Sequence, residues 1–425
     1  MSENENSKGA AVIPFPQVNK AGALTLSAKI TQLRAAGNRE KVEMILSDPE
    51  GKKLARSLEP QELYWLVKEF GDTDDALSLI ALASPEQCCF FLDVELWDGC
   101  TYSRDKAMEW VGYLLEAGED FLVEQLYHLD FELLLLICRK ELYVGGGVGD
   151  VISDDESRAE WDHTFDDMFY ITFRDENHGP LMGRFIDNIF RHDNSLYRRL
   201  MEGVKNEIDS EQEELCYRFR SGRLADLGFP EWEHAMEIYH YVTPEDFVSQ
   251  ESKDPVIVDF DVLLPAPSSL GDSLFQRAMQ SAADSEGLKA ELYCLINSAL
   301  VAEDKSFSDL DTMESVLQRV YGYLAIALEH LSGGDETDAI RILQNEYLKR
   351  LFQLGFGFVS RLRIRAEGIS LEGAEHATNR ALLGFRRKYP RYYRGLDSDH
   401  ADGYREFRCL EDIKTVDAFL QKLEG

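Results

Sequence analysis

The chain has 425 residues, 44% of them hydrophobic, and its 45 Lys and Arg face 78 Asp and Glu for a formal net charge of −33. Such a length can bury two or three packed cores, and so acidic a balance argues against general binding to nucleic acid or anionic lipid. No uncharged apolar stretch approaches the ~18 residues that a membrane span requires; the longest candidate, Leu133 to Cys138, falls far short.

Residues 1–24 carry acids and lysines without a continuous apolar core, so they read as a disordered tail and not as a secretory signal. Residues 25–144 read as a helical-repeat domain. Leu63, Leu66, Val67 and Phe70 form one apolar stripe at helical spacing, and further stripes follow through Cys88–Leu96, Met108–Leu115, Phe121–Leu129 and Leu133–Ile137. Gly71, Gly99 and Gly118 punctuate three of the ends. Helices this short are marginal alone and must bury their apolar faces against neighbours. A recurring cassette marks where they start: Glu59-Pro60-Gln61-Glu62, Ser84-Pro85-Glu86-Gln87, Phe229-Pro230-Glu231 and Thr243-Pro244-Glu245. Proline suits the first helical position because its φ is already helical and its missing N–H would be unbonded there. Ser84 with Gln87 reads as a capping box.

Gly145 to Asp150 breaks the helical pattern, and residues 145–175 read as a Gly-rich, acidic connection. The glycine run lacks the Gly-Lys-Ser/Thr ending of a phosphate loop, so a loop is expected. Residues 168–173 read as a short strand or a buried extended segment. Residues 176–250 read as a middle helical unit in which Pro230 and Pro244 begin consecutive helices. Residues 251–272 read as a linker with an extended segment near 255–260, and 273–425 as a C-terminal helical domain. The expected fold class is all-α, an array of short antiparallel helices with a second helical unit.

Leu58-Glu59-Pro60-Gln61-Glu62-Leu63, continuing to Ala83-Ser84-Pro85-Glu86-Gln87, resembles the short helical repeats of magnesium-transporter cytosolic N-domains and flagellar switch protein G. Their helix starts recur about 25 residues apart, and Pro60 and Pro85 are 25 apart. Gly222-Arg223-Leu224-Ala225-Asp226-Leu227-Gly228-Phe229-Pro230-Glu231 resembles an uncharacterised bacterial family of unknown function spanning most of the chain, which implies no chemistry.

Three Glu-x-x-His pairs occur, at Glu160/His163, Glu231/His234 and Glu237/His240. Two such pairs on facing helices can build a di-iron or di-manganese carboxylate site, which makes Glu160, His163, Glu237 and His240 candidate ligands. The plain alternative is a solvated helix face. Asp397-x-Asp399-x-Ala401-Asp402-Gly403 hints at a calcium loop, but its register fails and a turn is expected. Between Arg361 and Arg394 nine Arg and Lys face three acids, leaving the remainder at −39. Within this block Arg386, Arg387, Lys388, Arg391 and Arg394 alternate with aromatics, a composition that suits anion, acidic-peptide or single-strand binding. It equally suits docking onto the protein's own acidic helices.

No nucleophile elbow, zinc-protease helix or kinase signature occurs, so neither a catalytic residue nor a cofactor is assigned. Seven cysteines without a Cys-x-x-Cys pair suit a reducing cytoplasm. The leading expectation is a cytoplasmic helical-repeat scaffold or adaptor for an unidentified protein partner, with no membrane insertion and with nucleic acid disfavoured by charge. The alternatives are a carboxylate/His metalloenzyme and an anion or nucleic-acid binder using residues 361–394.

Overall fold

The computed structural model describes residues 25–71, 73–147, 161–206, 209–254, 273–282, 285–303, 310–371, 375–398 and 401–424. The expected tail 1–24, the end of the glycine run, Glu160 and the extended segment 255–260 lie outside them. Helices dominate and the strands are short, so the fold is all-α. Among the described residues no helix is long and apolar enough to cross a membrane.

Among the described residues the first helices are α1 (Leu26–Ala35), α2 (Asn38–Ser47), α3 (Gly51–Arg56), α4 (Pro60–Phe70), α5 (Asp74–Leu82), α6 (Pro85–Glu95), α7 (Arg104–Glu116), α8 (Glu119–Leu126) and α9 (Phe131–Glu141). Pro60 and Pro85 occupy first-turn positions of α4 and α6, and the capping box forms, with Ser84 and Gln87 exchanging bonds of 2.8 and 3.2 Å. A hairpin of β1 (Trp97–Asp98) and β2 (Thr101–Tyr102) separates α6 from α7. Gly99 makes its turn at φ +59°, where a side chain would be strained.

After α9 the chain forms β3 (Leu142–Gly146), β4 (His163–Thr164) and β5 (Phe169–Phe173), an antiparallel sheet in the order β3-β5-β4. The extended segment expected near 168–173 is β5. The glycine run differs from the expected loop, because Gly145 and Gly146 pair with Tyr170 and Phe169 inside the sheet. A Cβ on Gly145 would stand 2.2 Å from the Trp161 ring, so glycine is what lets that ring lie on the strand. Next come α10 (Gly179–His192), α11 (Asn194–Asn206), α12 (Asp209–Asp226) and the short α13 (Trp232–Met236). One hydrophobic core gathers side chains from Leu33 through to Phe229.

A second core runs from Ile238 to Leu420. Its helices are α14 (Leu274–Ser281), α15 (Ser285–Ala302), α16 (Leu310–Ser332), α17 (Glu336–Asn345), α18 (Leu348–Glu367), α19 (His376–Phe385) and α20 (Leu410–Glu424). A ribbon of β6 (Tyr392–Tyr393) and β7 (Tyr404–Arg405) joins the last two. Helices α16 and α18 cross with their backbones almost touching, since a Cβ on Gly355 would sit 2.1 Å from the Tyr323 carbonyl oxygen. The Pro230 and Pro244 cassettes depart from the consecutive helices expected of them. Pro230 precedes the N-cap of α13, and Pro244 opens only a 3-10 turn, Pro244–Asp246. That segment is pressed onto α18 at Gly357, where a Cβ would lie 2.1 Å from the Val242 carbonyl oxygen, and this tertiary contact takes precedence over a local helix start.

Trp65 packs against both cores. Around it the Tyr293 hydroxyl donates to Gln61, and Gln61 and Asn297 donate to the carbonyls of Leu227 and Gly228 at 3.4 and 3.3 Å. The two cores therefore meet along a hydrogen-bonded seam.

Candidate functional site

Helix α12 lays its inward face on α6 and α9 of the first core, and the motif at its C-terminal end reaches the seam. Gln212, Cys216 and Arg220 are buried at intervals of four residues, and Arg223 follows one turn later, so a largely polar stripe faces inward. Gln212 donates to the Glu132 carbonyl at 2.8 Å. Arg223 grips the Asp93 carboxylate with Nε and Nη2, both at 2.7 Å, and also pairs with Asp130. Burial works against the Arg223 charge, but Asp93 outweighs it and holds the pKa above the usual arginine value. The motif 222–231 then leaves the helix through Gly228 at φ +79° and drives Phe229 into the first core. Its Leu227 and Gly228 carbonyls are the acceptors that the second core uses.

Where α12 meets β1 and α13, the seam opens into a cleft of about 510 Å³ lined by Trp97, Tyr217, Arg220, Phe229, Trp232 and Leu300, among others. Trp97 and Phe229 are buried, whereas Trp232 is half exposed. Arg220 is only 9% exposed. Its Nε donates to the Asp93 carbonyl at 2.5 Å, and its guanidinium lies 5.7 and 5.6 Å from the Trp97 and Tyr217 ring centres. Burial lowers its pKa from the usual arginine value, and the field of Asp93 restores only part. Glu231, Glu233 and Asp98 stand exposed around the cleft, with Asp98 paired to Lys106 at 2.9 Å.

The residues singled out in the sequence lie elsewhere. His163 is exposed on β4 with its ring 4.3 Å from that of Phe165, beside the first core. Glu237 and His240 are exposed beside the second core, with Glu237 paired to Lys349 at 2.7 Å. The structure does not gather these side chains, and Glu160 is outside the described residues. Among the described residues no group of three or more His, Cys, Asp and Glu is placed to hold a metal ion. Asp397 accepts from the Tyr392 hydroxyl at 2.8 Å and pairs with Arg405 at 3.2 Å.

The basic block divides. Arg386 caps the end of α18, donating to the Ala366 carbonyl at 2.9 Å and to that of Ile369. Arg391 pairs with buried Glu406 at 3.1 Å and donates to Ser315 at 2.8 Å. Arg387, Lys388 and Arg394 are exposed, the first two lying over the Tyr404 and Tyr389 rings at 4.5 and 5.0 Å.

Arg220 escaped the sequence reading because the inward face of α12 is not apolar. The available signal was the four-residue spacing of Gln212, Cys216 and Arg220, continued by Arg223 inside the motif 222–231.

The fold and this junction define an all-α protein whose two helical cores meet along a polar seam. The chain belongs to the family of unknown function DUF6178, whose model matches residues 19–425, so the motif that carries the resemblance to an uncharacterised family lies at the seam itself. No curated protein matches the chain, and no solved structure does.

Proposed function

We propose that the protein is a cytoplasmic helical-repeat scaffold that holds a segment of a partner protein in the cleft between its cores. The observation that carries this reading is the cleft lining, in which half-exposed Trp232 stands with Trp97, Tyr217 and Arg220. Trp, Tyr and Arg are the residues that dominate the energy of protein interfaces, because they bring large apolar area together with a polar handle. The Pro60–Pro85 spacing, which resembles the repeats of magnesium-transporter N-domains, supports the scaffold part of the reading. The test compares the proteins retained from a native lysate by the intact chain and by Trp232→Ala. A partner held by the first and lost from the second, with melting temperature unchanged, supports the reading; identical retention by both refutes it.

Exposed Arg387, Lys388 and Arg394 favour a second reading, anion or nucleic-acid binding at the β6–β7 end. A labelled oligonucleotide whose mobility does not shift even at low salt, where phosphate contacts are strongest, removes it.

A further inference from the structure

Of the two arginines that α12 turns inward, part-exposed Arg223 has two carboxylates and buried Arg220 has none of its own. Both oxygens of Asp93, the carboxylate nearest to hand, are engaged by Arg223. Arg220 gives Nε to a backbone carbonyl, and among the described residues its two Nη nitrogens have no hydrogen-bond acceptor. They are not sealed in the core, because Arg220 lines the cleft. A guanidinium that is nine-tenths buried with no carboxylate bonded to it directly is costly, and the fork of its two Nη groups matches a planar carboxylate. The Trp97 and Tyr217 rings, themselves 5.6 Å apart, lie together beside that fork at cation–π distance.

The rim narrows the ligand. Glu231 and Glu233 are exposed beside the cleft, and among the described residues neither makes an ion pair. Their charges oppose a doubly negative phosphate and favour a ligand that carries a single carboxylate and a nearby cation. The volume of about 510 Å³ suits a few residues of peptide. The mouth, at half-exposed Trp232 and the two glutamates, leaves a path for a chain to depart into solvent.

We propose that the cleft recognises a peptide C-terminus, with the terminal carboxylate bound by the Arg220 Nη pair, a neighbouring basic side chain met by Glu231 and Glu233, and an apolar or aromatic residue laid against Trp232. This rests on the scaffold reading and adds the chemistry of the segment that is held.

The test is fluorescence anisotropy of the full chain with two labelled octapeptide pools, each carrying a fixed lysine beside the last residue. One pool ends in a free carboxylate and the other in an amide. The free-acid pool should bind at least about tenfold more tightly, the difference expected of one charge-assisted bidentate contact. Arg220→Met should abolish that difference, and Arg220→Lys, which keeps the charge but not the fork, should reduce it. Far-UV circular dichroism and melting of both variants establish that each is folded, and the lysine variant serves if the methionine variant is not. Glu231→Gln with Glu233→Gln should weaken binding of the lysine-bearing pool while preserving the preference for a free carboxylate. Equal binding of the two pools overturns the carboxylate assignment and leaves the scaffold reading standing. Displacement of the peptide by millimolar free lysine or inorganic phosphate at their own saturable affinity overturns the peptide assignment in favour of a small ion or zwitterion. Retention of lysate proteins that ignores Trp232→Ala overturns the scaffold reading separately.

Discussion

Replacing Arg319 by methionine should destabilise the second core far more than an ordinary substitution does. Arg319 lies on α16 between Glu303 and Glu406, and the side chains of the three are 4%, 2% and 2% exposed. Its Nε and Nη2 donate to the Glu406 carboxylate at 3.0 and 2.9 Å, and its Nη1 donates to Glu303. Both acids keep a second partner, since Tyr239 donates to Glu303 at 2.6 Å and Arg391 pairs with Glu406 at 3.1 Å. Arg391 is 31% exposed, so Arg319 supplies the only fully buried positive charge in this cluster among the described residues. Methionine fills much of the same space but leaves two carboxylates with one partly solvated cation. Removing one partner of a buried pair costs about 3–5 kcal/mol, and the retained Tyr239 and Arg391 contacts place the expectation near the lower figure. With a urea slope of about 2 kcal/mol/M, that loss moves the midpoint down by roughly 1.5 M. All five tryptophans precede residue 233, so fluorescence reports the first core and its edge, while far-UV circular dichroism reports both. The circular-dichroism midpoint should therefore fall more than the fluorescence midpoint. A loss under about 1 kcal/mol at pH 7 contradicts the expected magnitude. So does a Glu303→Gln/Arg319→Met/Glu406→Gln triple variant no more stable than Arg319→Met alone, because neutralising the acids should recover stability.

Four further outcomes follow from packing and charge pairing. Gly355→Ala places a Cβ 2.1 Å from the Tyr323 carbonyl oxygen and should cost about 1–3 kcal/mol or more in urea unfolding. Gly222→Ala meets nothing within 4 Å on helical α12 and should instead stabilise by about 0.5–1 kcal/mol. Gln87→Ala removes the capping-box bond together with bonds to the Ala55 and Leu58 carbonyls at 2.9 and 2.7 Å, and should lower stability by about 2–3 kcal/mol, more than Ser84→Ala. Lys29, hydrogen-bonded to Asp48 at 2.9 Å, holds that carboxyl below its usual range, helped by the Glu50 backbone N–H. A depressed folded-state pKa contributes stability that is present above the unfolded value and lost as pH falls through the folded one. Lys29→Met should therefore lower the melting temperature more at pH 6 than at pH 2.5, as scanning calorimetry would show.

Much of the architecture was legible because it is local. The starts of α4 and α6 follow from proline sterics and a reciprocal cap, and β5 follows from its β-favouring run Phe169-Tyr170-Ile171-Thr172-Phe173. The same proline signal at Pro244 yielded only a 3-10 turn, because the approach of Val242 to Gly357 fixes the backbone there. The candidate site was far less legible. Glu-x-x-His spacing describes one helix at a time, and the fold then put His163 beside the first core and His240 beside the second. The basic block reads as one patch in sequence, yet Arg386 and Arg391 turn inward to a helix end and to Glu406.

Sequence alone therefore determined the all-α class, the main helix starts and the absence of a long uncharged apolar span, since each depends on contacts between near neighbours or on composition. Only the tertiary structure decided which charges are compensated. Arg220 and Arg223 stand three residues apart on one helix, and no local property separates them. Asp93 and Asp130, about 130 and 93 residues distant from Arg223, serve that arginine and leave Arg220 facing the cleft. Burial and pairing of charge are properties of the assembled fold, because the groups that complete them come from distant parts of the chain.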